Sequence, residues 1–269
     1  MRIILGIILF GLLSLTSMAV AQSRYFEAIV DNSFLLEEAY NQGASEVQHI
    51  STLVYSRDNK IWEYGFTQEW PMIFTNRPER HQFSFTIPYT WMRNPSKSGL
   101  GDIALNYRYQ MLTMNDPVAF TPRFSVLLAT GNDTKGLGSG KPSYQAGFPF
   151  SKRLHENVAA HLNVGVTLTP GVKNGTKKET LKGFNVGASL FWIVNSNLNI
   201  FAEYVSFFDD QISGNGVRNK ATHFLNPGLC YGINLGELQA VPGISMPIQL
   251  NGSHDNQLFF YLSLEHPFR

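Results

Sequence analysis

The chain is dominated by short runs in which apolar and polar residues alternate. In the run from Ile61 to Trp70, one face carries Trp62, Tyr64, Phe66, Gln68 and Trp70, whereas the other face carries two carboxylates. A period of two is typical of a β-strand with one apolar and one polar face. About twelve such runs, some less regular, cover residues 47–56, 61–70, 81–89, 102–111, 120–128, 143–151, 158–168, 184–192, 198–207, 223–233, 238–248 and 257–268.

The composition of the two faces indicates which of them meets solvent. The apolar faces of the clearest runs hold no charged residue, as expected if they contact lipid, where a Lys or Arg costs about 2–4 kcal/mol. The polar faces hold mostly Ser, Thr, Asn, Gln and Gly, whereas a soluble sandwich needs Lys and Glu there. The pattern therefore predicts an all-β fold, a transmembrane antiparallel β-barrel of about twelve strands with a wet interior.

The last run supports this interpretation. Counting back in twos from Phe268 gives an apolar face of Leu258, Phe260, Leu262 and Leu264, with His266 near its end. A terminal strand that ends in an aromatic residue is similar to the one that outer-membrane barrels present to their assembly machinery. We therefore expect outer-membrane lipids and the barrel-assembly machinery as partners of this chain.

The N-terminal residues predict export. Arg2 is followed by an apolar stretch over residues 3–15, which is shorter than the roughly 20 residues of a spanning helix. Ala19-Val20-Ala21 fits a cleavage site, so residues 1–21 form a signal peptide that is cleaved after Ala21. The expected location is the outer membrane.

Residues 22–45 do not alternate and precede the predicted barrel of residues 46–269. Ser33 is a suitable cap for a short helix over residues 34–40, which Gly43 would end. The sequence thus predicts a short, helical N-terminal segment, which lies either at the periplasmic mouth or within the lumen as a plug.

Composition argues against a nucleic-acid partner and against a disulfide framework. The chain has 21 Lys plus Arg and 20 Asp plus Glu, and loss of Arg2 leaves 20 of each. A balanced charge argues against a nucleic-acid partner. Cys230 is the only cysteine, so no intrachain disulfide is possible.

Gaps between the runs alternate in length, as expected for long extracellular loops and short periplasmic turns. The long gaps are residues 90–100, 131–142, 170–181, 209–221 and 250–256, and the short ones are 113–117, 152–157, 195–197 and 234–237. Five prolines fall inside predicted strands, where each lacks a ladder donor, so bulges or strand ends must absorb them. They are Pro122, Pro149, Pro227, Pro242 and Pro247.

No catalytic or metal-binding motif is present. The glycine-rich loop 131–141 departs from a phosphate-binding loop, because Lys135 and Pro142 occupy positions that require Gly and Ser or Thr. The seven histidines are scattered and the chain has a single cysteine, so we expect no metal and no cofactor. His81 lies on an outward face without a well-spaced Ser partner, which makes a lipid hydrolase a weak alternative.

The polar faces predict which side chains line the lumen. Two interpretations of the charged and titratable ones remain open. They form a selectivity ladder in a pore, or they pair across the lumen and stiffen the barrel. The candidates are Glu63, Glu69, Asp102, Arg108, Arg123, His161, Glu203 and Glu265.

Several stretches together resemble the family of outer-membrane transporters linked to the meta pathway of phenol degradation. The likeness is strongest over residues 31–140 and is carried by residues 33–42, 47–52, 66–71, 81–89 and 99–110. The resemblance implies a barrel and passage of small hydrophobic or aromatic compounds, and it supplies no binding residues.

We therefore expect a non-enzymatic, passive channel for a small-molecule solute. Twelve strands imply a narrow or partly filled lumen, because eight enclose only side chains and sixteen leave a water channel. A lipid-modifying barrel enzyme and a non-conducting barrel with interaction loops are the alternatives.

Overall fold

The computed structural model describes residues 33–93, 95–214, 216–252 and 255–267, so the predicted signal peptide and Phe268 lie outside the described part. Sixteen strand segments form one antiparallel sheet. They are β1 (Glu46–Ser56), β2 (Ile61–Pro71), β3 (His81–Met92), β4 (Lys97–Leu100), β5 (Ala104–Tyr109), β6 (Ala119–Phe120), β7 (Arg123–Leu127), β8 (Ser143–His155), β9 (Val158–Asn174), β10 (Lys177–Ile193), β11 (Leu198–Ser213), β12 (Gly216–Tyr231), β13 (Ile233–Leu235), β14 (Leu238–Ser245), β15 (Ile248–Gln249) and β16 (Gln257–Pro267).

In four places, two consecutive segments belong to one barrel strand that a short gap interrupts. The sixteen segments therefore make twelve barrel strands. β4 and β5 both pair with β3, β6 and β7 both pair with β8, and β14 and β15 both pair with β12. Only Gly232 separates β12 from β13. β1 pairs with β16 from Glu46↔Pro267 to Ser56↔Gln257 and closes the sheet. The predicted twelve-stranded transmembrane barrel is confirmed.

The two faces of the wall differ as the alternation predicts. In β16, Leu258, Phe260 and Leu262 are about 40% exposed, whereas the alternate residues Phe259, Tyr261 and Ser263 are 6%, 7% and 1% exposed. A single closed sheet has no second sheet against which the exposed face can pack. The apolar face therefore lies outside, in contact with acyl chains, and the polar face lines the bore.

The four longest strands extend well beyond their predicted bounds. β9 and β10 have 17 residues each, and β11 and β12 have 16 each. The predicted long loops 170–181 and 209–221 are therefore wrong, because most of these residues continue the ladder up to tight turns. About 9–11 residues suffice to cross the bilayer, so these hairpins project beyond it. Outside the bilayer both faces of a strand contact water, so neither face needs to be apolar. The sequence of these strand ends therefore does not alternate and does not predict a strand.

Four of the five predicted wall prolines lie at or opposite interruptions of the ladder, whereas Pro242 lies inside β14 in register with Leu262. Pro122 and Pro247 fall between β6 and β7 and between β14 and β15, where the prediction of strand ends is correct. Main-chain amides at these two gaps donate to the carbonyls of Pro149 and Pro227 on the neighbouring strands. The missing donors of these four prolines thus coincide with places where the adjacent strand is already irregular.

The predicted helix over residues 34–40 is wrong. These residues are extended and bent, because side chains of the barrel wall bind the main-chain groups that a helix would pair internally. Two single 3-10 turns are the helical elements of the described residues, at Pro78–Arg80 and Asp133–Lys135. No helix in this part of the chain is long and apolar enough to cross a membrane.

Asp255 fastens an extracellular loop to the first hairpin. Its carboxylate is 2% exposed. It accepts hydrogen bonds from Ser56 Oγ (2.5 Å), Asp58 N (2.9 Å) and Asn59 Nδ2 (3.1 Å). Burial alone would raise the pKa of Asp255, but these hydrogen bonds outweigh it and hold the pKa below its ordinary value.

A charge on the outer face should destabilise the barrel according to depth. We expect Leu162→Arg, in the middle of the apolar face of β9, to lower the free energy of unfolding by about 2–4 kcal/mol. Ile212→Arg makes the same change on the projecting part of β11 and should cost about 0–1 kcal/mol. Urea unfolding in lipid vesicles measures both, and equal losses would contradict the assigned membrane level.

The stabilising effect of Asp255 should disappear in acid. Because the folded pKa lies below the unfolded value of about 3.9, the contribution is complete above pH 4 and falls as pH drops through the folded pKa. Asp255→Asn should therefore lose less stability between pH 7 and pH 3 than the unchanged chain. Urea midpoints at both pH values test this, with Asp133→Asn in an exposed loop as the matched control. Equal acid-induced losses in all three proteins would exclude this role for Asp255.

Candidate functional site

Residues 33–45, called the lumen segment below, lie inside the barrel. Their hydrogen-bond partners are inward-facing side chains from β3, β5, β8, β9 and β11, and their ring contacts reach β16. These strands are distributed around the barrel. A segment that contacts them all must run through the bore.

Side chains of the wall bind the main-chain amides of this segment. Glu203 is fully buried and accepts hydrogen bonds from Phe34 N and Leu35 N, each at 3.0 Å. Asn226 Nδ2 donates to the same carboxylate at 2.7 Å. Three more amides bind wall side chains, Ala39 N to Ser151 Oγ (2.8 Å), Asn41 N to Gln110 Oε1 (2.8 Å) and Gln42 N to Gln82 Oε1 (2.9 Å).

The main-chain carbonyls are bound in the same way. Arg108 donates to the carbonyl of Glu38, and Asn163 Nδ2 donates to that of Glu37 at 3.2 Å. The carbonyl of Ala39 accepts from Gln110 Nε2 (2.7 Å) and Thr121 Oγ1 (2.8 Å). Buried main-chain groups must be paired, and here the wall replaces both helix and ladder.

Phe34 anchors the start of the lumen segment. Its ring packs on Phe201, Phe259 and Tyr261, with ring centroids 4.7, 5.1 and 4.8 Å away. A Cβ atom at Gly243 would overlap the same ring, so the absence of a side chain there provides the space. Aromatic contacts of this kind add about 0.5–1.5 kcal/mol per pair beyond burial.

The structure brings five of the predicted lumen residues together around this segment. Besides Glu203 and Arg108, Arg123 forms an ion pair with Glu37. His161 Nδ1 is 2.6 Å from Ser151 Oγ, the hydroxyl that binds Ala39 N. Glu69 accepts from Gln82 Nε2 at 2.6 Å, and Gln82 in turn holds Gln42 N.

Three predicted residues lie apart from this group. Glu63 is exposed near the extracellular mouth. Glu265 lines a cavity near the periplasmic end. Asp102 binds the loop after β7, accepting from Gly131 N (2.9 Å) and from Ser139 N (2.8 Å) and Oγ (2.7 Å).

Arg108 and Arg123 form a positive stripe on the wall. They are register partners on β5 and β7, and both side chains point inward. Like charges directly opposite each other destabilise a sheet. The lumen segment relieves this repulsion, because it places the carbonyl of Glu38 on one guanidinium and the carboxylate of Glu37 on the other.

Two cavities lie beside the lumen segment and share no lining residue. One has a volume of about 580 Å³ near the periplasmic end and is lined by five glutamates, Glu38, Glu46, Glu79, Glu237 and Glu265. The other, of about 200 Å³, includes Leu35, Leu36 and Glu37 of the segment together with Arg123. The segment thus has space on two sides.

The outer face carries polar pairs that the sequence analysis missed. Ser206 Oγ is 2.8 Å from His223 Nδ1, and His81 Nδ1 is 2.7 Å from Tyr107 Oη. These pairs form across neighbouring strands, so only the strand register could have revealed them. In the described residues, no hydrogen bond joins a carboxylate to the other ring nitrogen of His223. No group of three or more potential metal ligands occurs in this part of the chain.

Removal of the Glu203 carboxylate should loosen the lumen segment. We expect Glu203→Ala to raise the labelling rate of a Leu36→Cys reporter roughly tenfold or more, because two charge-assisted hydrogen bonds are lost. The buried Cys230 is replaced by Ala in all proteins. Glu63→Ala is the matched control, since Glu63 lies at the exposed mouth. Unchanged labelling by a membrane-impermeant maleimide would show that Glu203 does not hold the segment.

Comparisons with known proteins agree with this architecture. An outer-membrane channel from Pseudomonas putida F1 superposes with a TM-score of 0.64 and 13% identity, over 89% of this chain and 100% of that one. The NanC porin superposes with a TM-score of 0.54 and 7% identity, over 82% and 99%. No curated protein shows significant sequence similarity to the chain. The family model "Putative MetA-pathway of phenol degradation" matches residues 41–241, and this protein therefore belongs to that family and has the barrel fold seen in outer-membrane channels.

Proposed function

We propose that this protein is a passive outer-membrane channel for small hydrophobic or aromatic molecules, and that the lumen segment is its plug. The observation that carries the proposal is how the segment is held. Wall side chains bind its main chain, and no strand ladder includes it. Water or a solute can replace such hydrogen bonds one by one, whereas a ladder must open cooperatively.

The barrel without this segment has room for a path. Eight strands enclose only side chains, and a twelve-stranded barrel is wider. In this protein the lumen segment occupies the added width. We propose that Glu69, Arg108, Arg123, His161 and Glu203 line the constriction, with Glu63 and Asp102 nearer the extracellular mouth.

Two observations support an aromatic or hydrophobic solute. The family description refers to phenol degradation. The bore around Phe34 is also lined by buried aromatic side chains of the wall, Phe191, Phe201, Phe259 and Tyr261. The ring of a solute that enters this part of the lumen replaces the ring of Phe34 on the same wall side chains. The net gain in aromatic contact is therefore small, which keeps binding weak enough for release.

Targeting belongs to the same proposal. Cleavage after Ala21 and recognition of the last strand by the assembly machinery would place the mature chain in the outer membrane. Both events involve residues outside the described part of the chain.

Deletion of residues 33–42 should open the channel. In planar bilayers, we expect the single-channel conductance of the deletion variant to exceed that of the complete chain several-fold, because conductance rises with the cross-section of the bore. A variant in which residues 33–42 are replaced by Gly and Ser is the matched control. It retains the chain length but loses the side-chain anchors, and its conductance should lie between the other two. If neither the complete chain nor the deletion variant conducts, the protein is not a channel.

A further inference from the structure

We propose that the 200 Å³ cavity beside Arg123 is a binding site for a small aromatic carboxylate, whose carboxylate replaces that of Glu37 on the guanidinium. This inference deepens the proposed function and rests on it, because a channel must admit solutes to the lumen. It names the chemical class of the solute and the residue that recognises it.

Arg123 is only partly occupied by its partner Glu37. One terminal nitrogen of its guanidinium pairs with Glu37. Its Nε is buried and makes no hydrogen bond within the described part of the chain. A guanidinium binds a carboxylate most strongly through two parallel hydrogen bonds. Glu37 leaves Nε unused, so a carboxylate that accepts two parallel hydrogen bonds, one of them from Nε, has an advantage over Glu37.

The charge around the cavity favours an anion. Arg108 lies directly opposite Arg123 on the neighbouring strand and adds a second cation on the same face of the wall. The lumen segment offers Arg108 a neutral carbonyl, and the wall carboxylate of Glu69 also interacts with Arg108. The carboxylate on Arg123 is that of Glu37, which belongs to the lumen segment and not to the wall. An anion that binds beside Arg123 is attracted by both guanidinium groups.

The size and lining of the cavity suit an aromatic ring. Leu35, Leu36 and Phe207 supply apolar lining, whereas Gln145 and Asn185 supply amides on the wall. A cavity of about 150 Å³ holds a benzene molecule. The cavity therefore suits one aromatic ring with one carboxylate and is too small for an oligosaccharide.

The competition links the solute to the plug. Glu37 belongs to the lumen segment, and its neighbours Leu35 and Leu36 line the same cavity. A carboxylate on Arg123 removes the ion pair of the segment and occupies the space beside it. Binding of the solute thus weakens the attachment of the plug.

The test uses 4-fluorobenzoate and the complete chain in detergent micelles, followed by 19F NMR. We expect 4-fluorobenzoate to bind at least tenfold more tightly than the neutral 4-fluorobenzamide. Arg123→Gln should weaken 4-fluorobenzoate binding at least tenfold, and Glu37→Gln should strengthen it several-fold by removing the competitor. Arg57→Gln, at an exposed extracellular turn, removes the same charge and should leave the affinity unchanged.

A second variant tests the cavity without altering the ion pair. A Cβ atom at Gly147 would lie 3.9 Å from Arg123 Cβ and 4.0 Å from its Nε, which is ordinary contact. Gly147→Ala should therefore fold, and Gly147→Leu should fill the cavity and abolish binding. Equal affinity for the two probes, or unchanged affinity in both Arg123→Gln and Gly147→Leu, would overturn the proposal.

This measurement is independent of conduction. If the variant without residues 33–42 does not conduct but the unchanged chain binds 4-fluorobenzoate through Arg123, the channel fails and the site stands. If the deletion variant conducts and no selective binding is found, the site fails and the channel stands.

Discussion

The antiparallel pairing of β1 with β16 is the constraint on which the rest of the structure depends. In the bilayer, unpaired main-chain groups cost several kcal/mol each, so a sheet can cross it only when closed. Closure separates an outside that contacts lipid from an inside that does not. Because of that separation, each strand alternates between apolar residues outside and polar residues inside. The same separation creates the bore in which the lumen segment lies.

Inside the barrel, the same requirement for pairing is met by different groups. The wall uses its main chain for the ladder and has only side chains to offer to the lumen segment. Glu203, Ser151, Gln110 and Gln82 accept from its amides, while Arg108 and Asn163 donate to its carbonyls. Each of these bonds contributes only a modest net free energy. A segment held in this way is ordered and still removable, which a thirteenth strand would not be.

The sequence predicts the wall better than the contents of the bore, and the reason is the range of the interactions. Alternation is local, so the faces of β2 and β16 can be assigned from a dozen residues each. The conformation of the lumen segment depends on Glu203, which lies 169 residues from Phe34. Local signals at Ser33 and Gly43 favoured a helix and were overridden by such partners. Asp102 shows the same limit. Its inward position on the polar face predicts that it lines the lumen, whereas in the structure its carboxylate binds Gly131 and Ser139 of the loop after β7.

The two interpretations of the charged lumen residues turn out not to be exclusive. Arg123 is paired, as expected for a residue that stiffens the barrel. Its partner Glu37, however, belongs to the lumen segment and not to the wall. A pair that joined two strands would stabilise the barrel permanently. A pair that joins the wall to the lumen segment stabilises only the filled state, and any anion of suitable shape competes for it. The repulsion between Arg108 and Arg123 persists in the empty wall. An emptied bore therefore attracts anions more strongly than a filled one, which relates the occupancy of the lumen to the charge of the solute.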